Sequence, residues 1–536
     1  MPQITYRANL SSAVYPMTLA DAGRTVIVPG PDQNFDRRVD PAGEQKDAGI
    51  PQAIYMENVF PTPNGFQSVG YKEVTPIPIP ITEAIIACIT LPMETLDPGI
   101  YIKTTLIYFS DDTVVASVFP SNVWSAVTTF VGFSSPQLSK SLSGTVCKGV
   151  TYICDSNSVL IYSFSNYIFT DITGTFVGIP AAPLNILSSY NYLILVDRDT
   201  VYWSSLITPT DFSPSLVSGA GSSRLINNRG YIVRAVEHPE GFVVYTNSNI
   251  IFARYTGNAR YPWKFTEVTN SGGIVDALNS AARYPIAGDA NSSNHFTIND
   301  AGTLQIINGS TAQNEAPEVS TYLSRSTTHD TFDYSTNTFT IVRATDLFNN
   351  QVLRTVYFYL DRYIIVPFAG TQELVYFHIP YEYAIVYDTL LQRYGKIKKT
   401  FDYIEQTEES QILFINATTG ICEVLSFDIY DEDVVFAGVL VLGKFQYVRS
   451  RFLQMETVTF ESVQENSLIT PQFSAVLLPS LDGKTFSTPV PLVESYGAAG
   501  IKEYNCHKSG QNMTIIAKGA FNLNTLQLVF TPGGDR

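Results

Sequence analysis

Along this chain, short apolar runs alternate with polar breaks of three or four residues. The pattern is clearest at residues 241–255, GFVVYTNSNIIFARY, where an apolar run meets Thr246-Asn247-Ser248-Asn249 and a second run leads away. Asn and Ser tolerate positive φ and hydrogen-bond their own backbone, which makes the break a tight turn. β-branched and aromatic residues on both sides suit a pleated surface, so the unit predicts a β-hairpin. It recurs at 106–118 around Ser110-Asp111-Asp112, at 150–164 around Asp155-Ser156-Asn157-Ser158, at 192–203 around Asp197-Arg198-Asp199, and at 295–307 around Asn299-Asp300-Ala301-Gly302.

The turn centres fall near residues 111, 156, 198, 248 and 300. That spacing is roughly the 40–50 residues of one four-stranded propeller blade. A single blade cannot cover both its faces, whereas blades stacked around an axis bury them. Two further copies fit the spacing less well, at 347–352 with Asn349-Asn350 and at 412–420 with a turn over 416–420. The expected fold is therefore all-β: a β-propeller of about six blades, within a range of five to eight, plus a β-sandwich-like domain. The rival topology is an ordinary β-sandwich protein with evenly spaced hairpins.

The chain divides by texture. Residues 1–53 are rich in Asp, Gly, Pro, Gln and Arg with weak periodicity, and predict an extended arm or clamp. Residues 54–432 carry the propeller pattern. From 433 to 536 the texture changes: 434–441 is almost wholly apolar and 446–463 alternates, as strands with one wet face do. This C-terminal region predicts the sandwich, to which N-terminal strands could add.

Composition narrows the function classes. The 536 residues include 32 Tyr and 32 Phe, and only 15% are charged, which favours β structure and extensive buried or subunit-contact surface. A net charge of −16 opposes a grip on nucleic acid through phosphate neutralisation. The strongest basic run, Lys396, Lys398 and Lys399 about Ile397, predicts a charged strand face too small for a DNA groove. Five cysteines without paired or metal-like spacing suggest reduced thiols in a chain made in a cytosol. The most apolar stretch, 77–91, is interrupted by Pro78, Pro80 and Glu83, so no stable membrane insertion is expected.

Residues 54–71, IYMENVFPTPNGFQSVGY, followed by the train of hairpins, resemble the tail nozzle or hub proteins of short-tailed bacteriophages, including the group called packaged-DNA stabilisation proteins. Val201-Tyr202-Trp203-Ser204-Ser205 with Pro209-Thr210-Asp211-Phe212, and 241–257 running into Tyr261-Pro262-Trp263-Lys264-Phe265 and Gly272-Gly273, carry the resemblance further. It implies a virion tail protein that forms a ring, a homohexamer, below the portal and head–tail adaptor proteins. Such a ring would hold back packaged double-stranded DNA and then conduct it without specific binding. Tail fibres and a tip or needle protein are further candidate partners.

Signatures of chemistry are scarce. No G-x-S-x-G, G-x-x-x-x-G-K-[ST] or H-E-x-x-H occurs, and the five histidines are dispersed in sequence. Asp111-Asp112 lies in a predicted turn, and Asp330 and Asp333 in a polar loop. Residues 480–486, SLDGKTF, approach the Asp-box turn of sialidases but lack one residue between Asp and Gly. No enzyme, metal or cofactor is expected. The acidic cluster Asp428, Asp431, Glu432 and Asp433 is the candidate channel-facing loop, with a solvated interdomain turn as the plain alternative. A propeller that binds or cleaves glycans, and a scaffold that binds peptides, are the rival functions.

Overall fold

The computed structural model describes residues 4–10, 26–28, 53–74, 85–94, 101–109, 111, 113–118, 123–131, 142–155, 160–165, 168–180, 183–225, 230–274, 286–288, 293–317, 319, 328–333, 335–343, 357–360, 362–368, 381–406, 411–416, 419–447, 453–462, 473–480, 488–498 and 500–532. Nearly all of them lie in or between β-strands. Among the described residues, seven four-stranded antiparallel meanders follow one another.

Blade 1 is Ile85–Glu94, Tyr101–Phe109, Val114–Val118 and Val123–Val127. Blade 2 is Leu142–Cys147, Val150–Asp155, Leu160–Ser165 and Ile168–Asp171, with Thr129–Val131 added in parallel at its outer edge. Blade 3 is Asn185–Ser189, Tyr192–Val196, Thr200–Trp203 and Gly221–Arg224. Blade 4 is Ile232–His238, Gly241–Thr246, Ile250–Tyr255 and Trp263–Glu267. Blade 5 is Ile286–Ala287, Asn294–Ile298, Leu304–Asn308 and Thr311–Asn314. Blade 6 is Tyr357–Tyr359, Tyr363–Phe368, Tyr381–Asp388 and Arg393–Phe401. Blade 7 is Tyr403–Gln406, Ile412–Ile415 and Cys422–Ser426, and its fourth strand, Gly70–Val74, comes from ahead of blade 1.

The hairpins read from the sequence are the second and third strands of blades 1 to 5, and the turn over 416–420 joins the same strands of blade 7. Where the turns are described their chemistry is as expected, while residues 156–159 of the blade 2 turn lie outside the described residues. Asp111 accepts the Thr113 amide at 3.0 Å, Asp197 the Thr200 amide at 2.8 Å, and Asn299 the Thr303 amide at 2.8 Å. The unit placed at 347–352 lies outside the described residues. Seven blades stand where about six were expected. The hairpin at 412–420 had marked blade 7, but its fourth strand, Gly70–Val74, comes from ahead of blade 1, which no spacing of hairpins shows.

The blades pack face to face. Along Gly241–Thr246, Phe242 and Val244 point to blade 3, while Val243 and Tyr245 point to blade 5. Along Tyr192–Val196, Tyr192, Ile194 and Val196 meet blade 4, and Leu193 and Leu195 meet blade 2. A strand covered on both faces has no wet side, which is why these runs read as continuously apolar rather than alternating. Burying each such side chain contributes about 1.5–3 kcal/mol. The series closes on itself, because Ile107, Phe109 and Val115 of blade 1 share a core with Tyr403, Leu413, Ile415 and Cys422 of blade 7. The structure is thus a toroid closed by the strand Gly70–Val74.

The C-terminal region forms the sandwich. One sheet runs in the order Ile4–Asn9, Thr525–Pro532, Leu453–Glu461, Ile501–Gly510, Val493–Ala498. The facing sheet runs Val26–Val28, Gly438–Tyr447, Asn512–Gly519, Ser474–Ser480, Val490–Pro491, with Ala53–Glu57 also paired to Gly438–Tyr447. Leu440, Leu442, Phe460, Leu477, Ile515, Leu528 and Phe530 fill the space between them. The described strands of the N-terminal arm therefore belong to the sandwich, and the expected boundary at residue 54 falls inside a strand. The hairpin Thr328–Asp333 and Thr338–Arg343, read as a polar loop, follows blade 5 and precedes blade 6 in the chain, and it reaches the sandwich, where Lys518 donates to Asn337 at 2.6 Å. Residues 481–487, with most of the Asp-box-like turn, lie outside the described residues.

Candidate functional site

The segment that carries the family resemblance is the seam of the molecule. Ala53–Glu57 pairs with the sandwich, Val59–Thr62 with blade 6, Gly65–Ser68 with the sandwich strand Asn522–Leu523, and Gly70–Val74 with blade 7. Asn58 turns the chain from one body to the other at φ 50°, a left-handed conformation that Asn tolerates. Its Oδ1 accepts the Tyr71 hydroxyl and the Lys398 amide, both at 2.9 Å.

The basic run is drawn into this seam. Lys396 is buried with Nζ 4.7 Å from the ring centroids of both Tyr55 and Tyr383. Lys398 pairs with buried Glu57 at 3.0 Å. Lys399 pairs with Glu423 and lies 4.8 Å over the Tyr71 ring. The strand was legible in the sequence. Its inward-facing partners, from residues 55–71 and 423, were not.

The acidic residues follow blade 7, in the loop between Cys422–Ser426 and Val435–Phe436. Both of those strands pair with Gly70–Val74, so the loop sits at the outer edge of blade 7 beside the sandwich, with Ile429, Val434 and Phe436 packed on Ala520. The structure brings Asp431 and Asp433 together on Lys72, at 2.9 and 3.2 Å. The Lys72 hydrogen bond holds the Asp431 carboxyl below its usual value, and the two carboxylates hold the Lys72 ammonium above its own. Asp428 accepts the Tyr430 amide at 3.0 Å and is exposed, as is Glu432. One lysine thus offsets part of the four negative charges, and Asp428 and Glu432 face solvent.

A pocket of about 330 Å³ opens beside this loop, lined by Pro61, Thr62, Pro63, Asn64, Gln67, Arg362, Tyr363, Phe427 and Asn522. Phe427 lies 5.4 Å edge-on to Phe60 and nearly parallel to Tyr363. Gln67 Nε2 donates to the Phe427 carbonyl at 2.7 Å. Arg362 is anchored through Nε and Nη2 to buried Asp388 at 2.8 and 2.6 Å. Aromatic, amide and guanidinium groups can together hold a polar ligand, and no carboxylate lines the space for acid–base work. The lining comes from distant stretches of sequence, so no spacing betrayed it.

Elsewhere, folding gathers two of the dispersed histidines. His238 and His295 lie 5.3 Å apart between blades 4 and 5, and His295 Nδ1 bonds the Tyr245 hydroxyl at 2.9 Å. Among the described residues, no group of three or more His, Cys, Asp or Glu could hold a metal ion. All five cysteines are free, and burial pushes the Cys154 and Cys506 thiols up to about 12. No described helix is long and apolar enough to cross a membrane.

Among the described residues the strand order defines the class: a β-propeller of seven blades joined to a β-sandwich. No protein-family model matches the sequence, and no curated protein matches it. Among solved structures the chain is similar to BBS1N in its crystal structure with ARL6DN, soaked with lead, at 10% identity and a TM-score of 0.27. That match covers 46% of this chain and 75% of the other. A likeness so slight carries no argument, and the fold rests on the pairing described above.

Proposed function

We propose that this chain is a structural virion protein, the subunit of a short-tail nozzle or hub ring that extends the portal–adaptor channel, retains packaged DNA and conducts it during ejection. The reading is physical rather than chemical. One observation carries it: in a chain of net charge −16, the strongest basic run is paired inward at the seam. Those three lysines are thereby taken up by protein partners rather than offered as a cluster that grips phosphates. An acidic wall repels duplex DNA over a Debye length of about 8–10 Å, so DNA slides without sticking. The exposed Asp428 and Glu432, with Asp431 and Asp433 on Lys72, are the loop proposed to face the bore. Ring closure requires two different patches on each subunit, and the stitched seam supplies a body stiff enough to hold them in register.

Light scattering of the purified chain, with and without a head–tail adaptor protein, tests this reading. A hexamer that retains no duplex DNA at physiological salt supports it. A chain that stays monomeric under both conditions rejects it.

A second reading, glycan binding by a tail protein, draws on the pocket with Tyr363, Phe427, Gln67 and Arg362. The lining favours binding over cleavage, because glycosidic cleavage uses a pair of carboxyl groups. Glycan-array binding lost in Arg362→Ala, with the hexamer intact, would favour it.

A further inference from the structure

The upper ends of blades 3 and 4 carry a second surface, formed by the loops that join first to second and third to fourth strands. Ile207, Leu216 and Val217 of the long blade 3 loop are 77%, 70% and 93% exposed, and Tyr261 of the blade 4 loop is 63% exposed. The apex is built, not loose. Trp203 Nε1 donates to the Gly219 carbonyl at 2.8 Å, the Leu206 amide to the Ser218 carbonyl at 3.1 Å, and the Ser215 amide to the Ala220 carbonyl at 3.0 Å. A Cβ at Gly219 would lie 3.4 Å from the Ala259 carbonyl, so the two loops adjoin. Tyr190 stacks on Tyr255 at 4.1 Å and bonds the Pro239 carbonyl, which extends the patch towards its neighbour.

The charge around this apex runs against the chain as a whole. Lys148 donates to the Leu206 and Ile207 carbonyls, and Arg260 lies 5.4 Å over the Tyr261 ring. Neither has a carboxylate partner among the described residues, whereas Arg254 pairs with Glu240 at 2.5 Å and Asp211 accepts the Ser213 amide. Lys148, held on the Leu206 and Ile207 carbonyls, and Arg260, on the adjoining loop, thus bring cationic groups to the loops that expose Leu216, Val217 and Tyr261. That combination suits a bilayer interface, which takes aliphatic groups below the headgroups, aromatic rings among them, and cations at anionic phosphates. In strand order, blades 3 and 4 are not the blades that pair with the seam segment, which joins blades 6 and 7.

We infer that the upper face of blades 3 and 4 is a peripheral docking surface for an anionic lipid bilayer, with Leu216 and Val217 entering the interface and Lys148 and Arg260 meeting headgroup phosphates. This is reversible surface contact, not a membrane span, and it does not depend on the proposed ring.

Flotation of the full chain with vesicles of phosphatidylglycerol and phosphatidylethanolamine, against vesicles of phosphatidylcholine alone, tests it. The chain floats with the anionic vesicles, and less so in high salt. Leu216→Asp with Val217→Asp lowers the bound fraction about tenfold. Arg260→Glu lowers it as well. Val493→Asp, at an equally exposed site on the sandwich, leaves it unchanged. Thermal melts of the variants match the parent, since the altered side chains are exposed. Failure to float, equal flotation of the double variant, or equal loss in Val493→Asp overturns the inference. So does a fall in light-scattering mass in the double variant, which would place a second copy of the chain on this face.

Discussion

The amide of Ser188 in blade 3 donates to Oε1 of Glu237 in blade 4 at 2.9 Å, and the hydroxyl of Thr145 in blade 2 donates to the same oxygen at 2.5 Å. One carboxylate thus ties three successive blades by their innermost strands. Nearby, Asn185 of blade 3 exchanges two hydrogen bonds with Ala235 of blade 4, and the Ile186 amide donates to Ser143 of blade 2. These links run parallel around the axis and set the register of neighbouring sheets, which apolar packing alone leaves free to slide.

Removing the carboxylate should therefore loosen more than one interface. Glu237→Ala is expected to cost about 2–3 kcal/mol, the scale of hydrogen bonds to a charged group. Glu237→Gln keeps an acceptor and should lose less. Denaturant unfolding of both variants checks this, and a change within about 0.5 kcal/mol for Glu237→Ala would remove Glu237 as a tie.

The seam depends on a close approach at Gly65. A Cβ there would lie 1.9 Å from the Leu523 carbonyl, so the hairpin and the sandwich strand could not both keep their places. Gly65→Ala should cost about 1–3 kcal/mol through overpacking. In calorimetry it should split one cooperative transition into separate propeller and sandwich steps. Gly174, with nothing within 4 Å of its Cβ position, is the control that should tolerate Ala.

His238 gives the fold an acid-sensitive contact. Its Nδ1 accepts the Glu240 amide at 3.1 Å, so Nε2 carries the proton and donates to the Ser293 carbonyl at 3.1 Å. Burial lowers its pKa below the ordinary 6.5, against the raising effect of that carbonyl. The unfolded ring then binds a proton at higher pH than the folded one. The contribution to stability is complete above about pH 6.5 and is lost as pH falls towards the lowered folded value. Urea midpoints measured from pH 7.5 to 5 should fall for the parent and fall less for His238→Gln. Equal slopes would contradict this.

How far the sequence could be read depends on how local each feature is. The hairpins of blades 1 to 5 were legible because polar turn residues separate two apolar runs, with Asp111, Asp197 and Asn299 capping the turns of blades 1, 3 and 5 and Thr246 that of blade 4. The fourth strand of blade 7 was not, because Gly70 pairs with Ser426 across most of the chain. The lysines at 396, 398 and 399 were placed on a strand from their alternation. That they turn inward is decided by Glu57, Glu423 and three tyrosines, Tyr55, Tyr71 and Tyr383, whose proximity no spacing encodes. The acidic loop was visible as a cluster, whereas its pairing with Lys72 and the neighbouring pocket exist only once the seam has formed. The exposed Leu216 and Val217 were unremarkable in sequence, since a hydrogen-bonded loop, not an apolar period, presents them.

The most direct test of the central claim is a cryo-EM reconstruction of the chain assembled with its head–tail adaptor protein. The account predicts six copies of the 59.2 kDa chain around an open bore, with residues 428–433 on the lumenal wall. A solitary copy, or a ring with that loop on its outer surface, would contradict it.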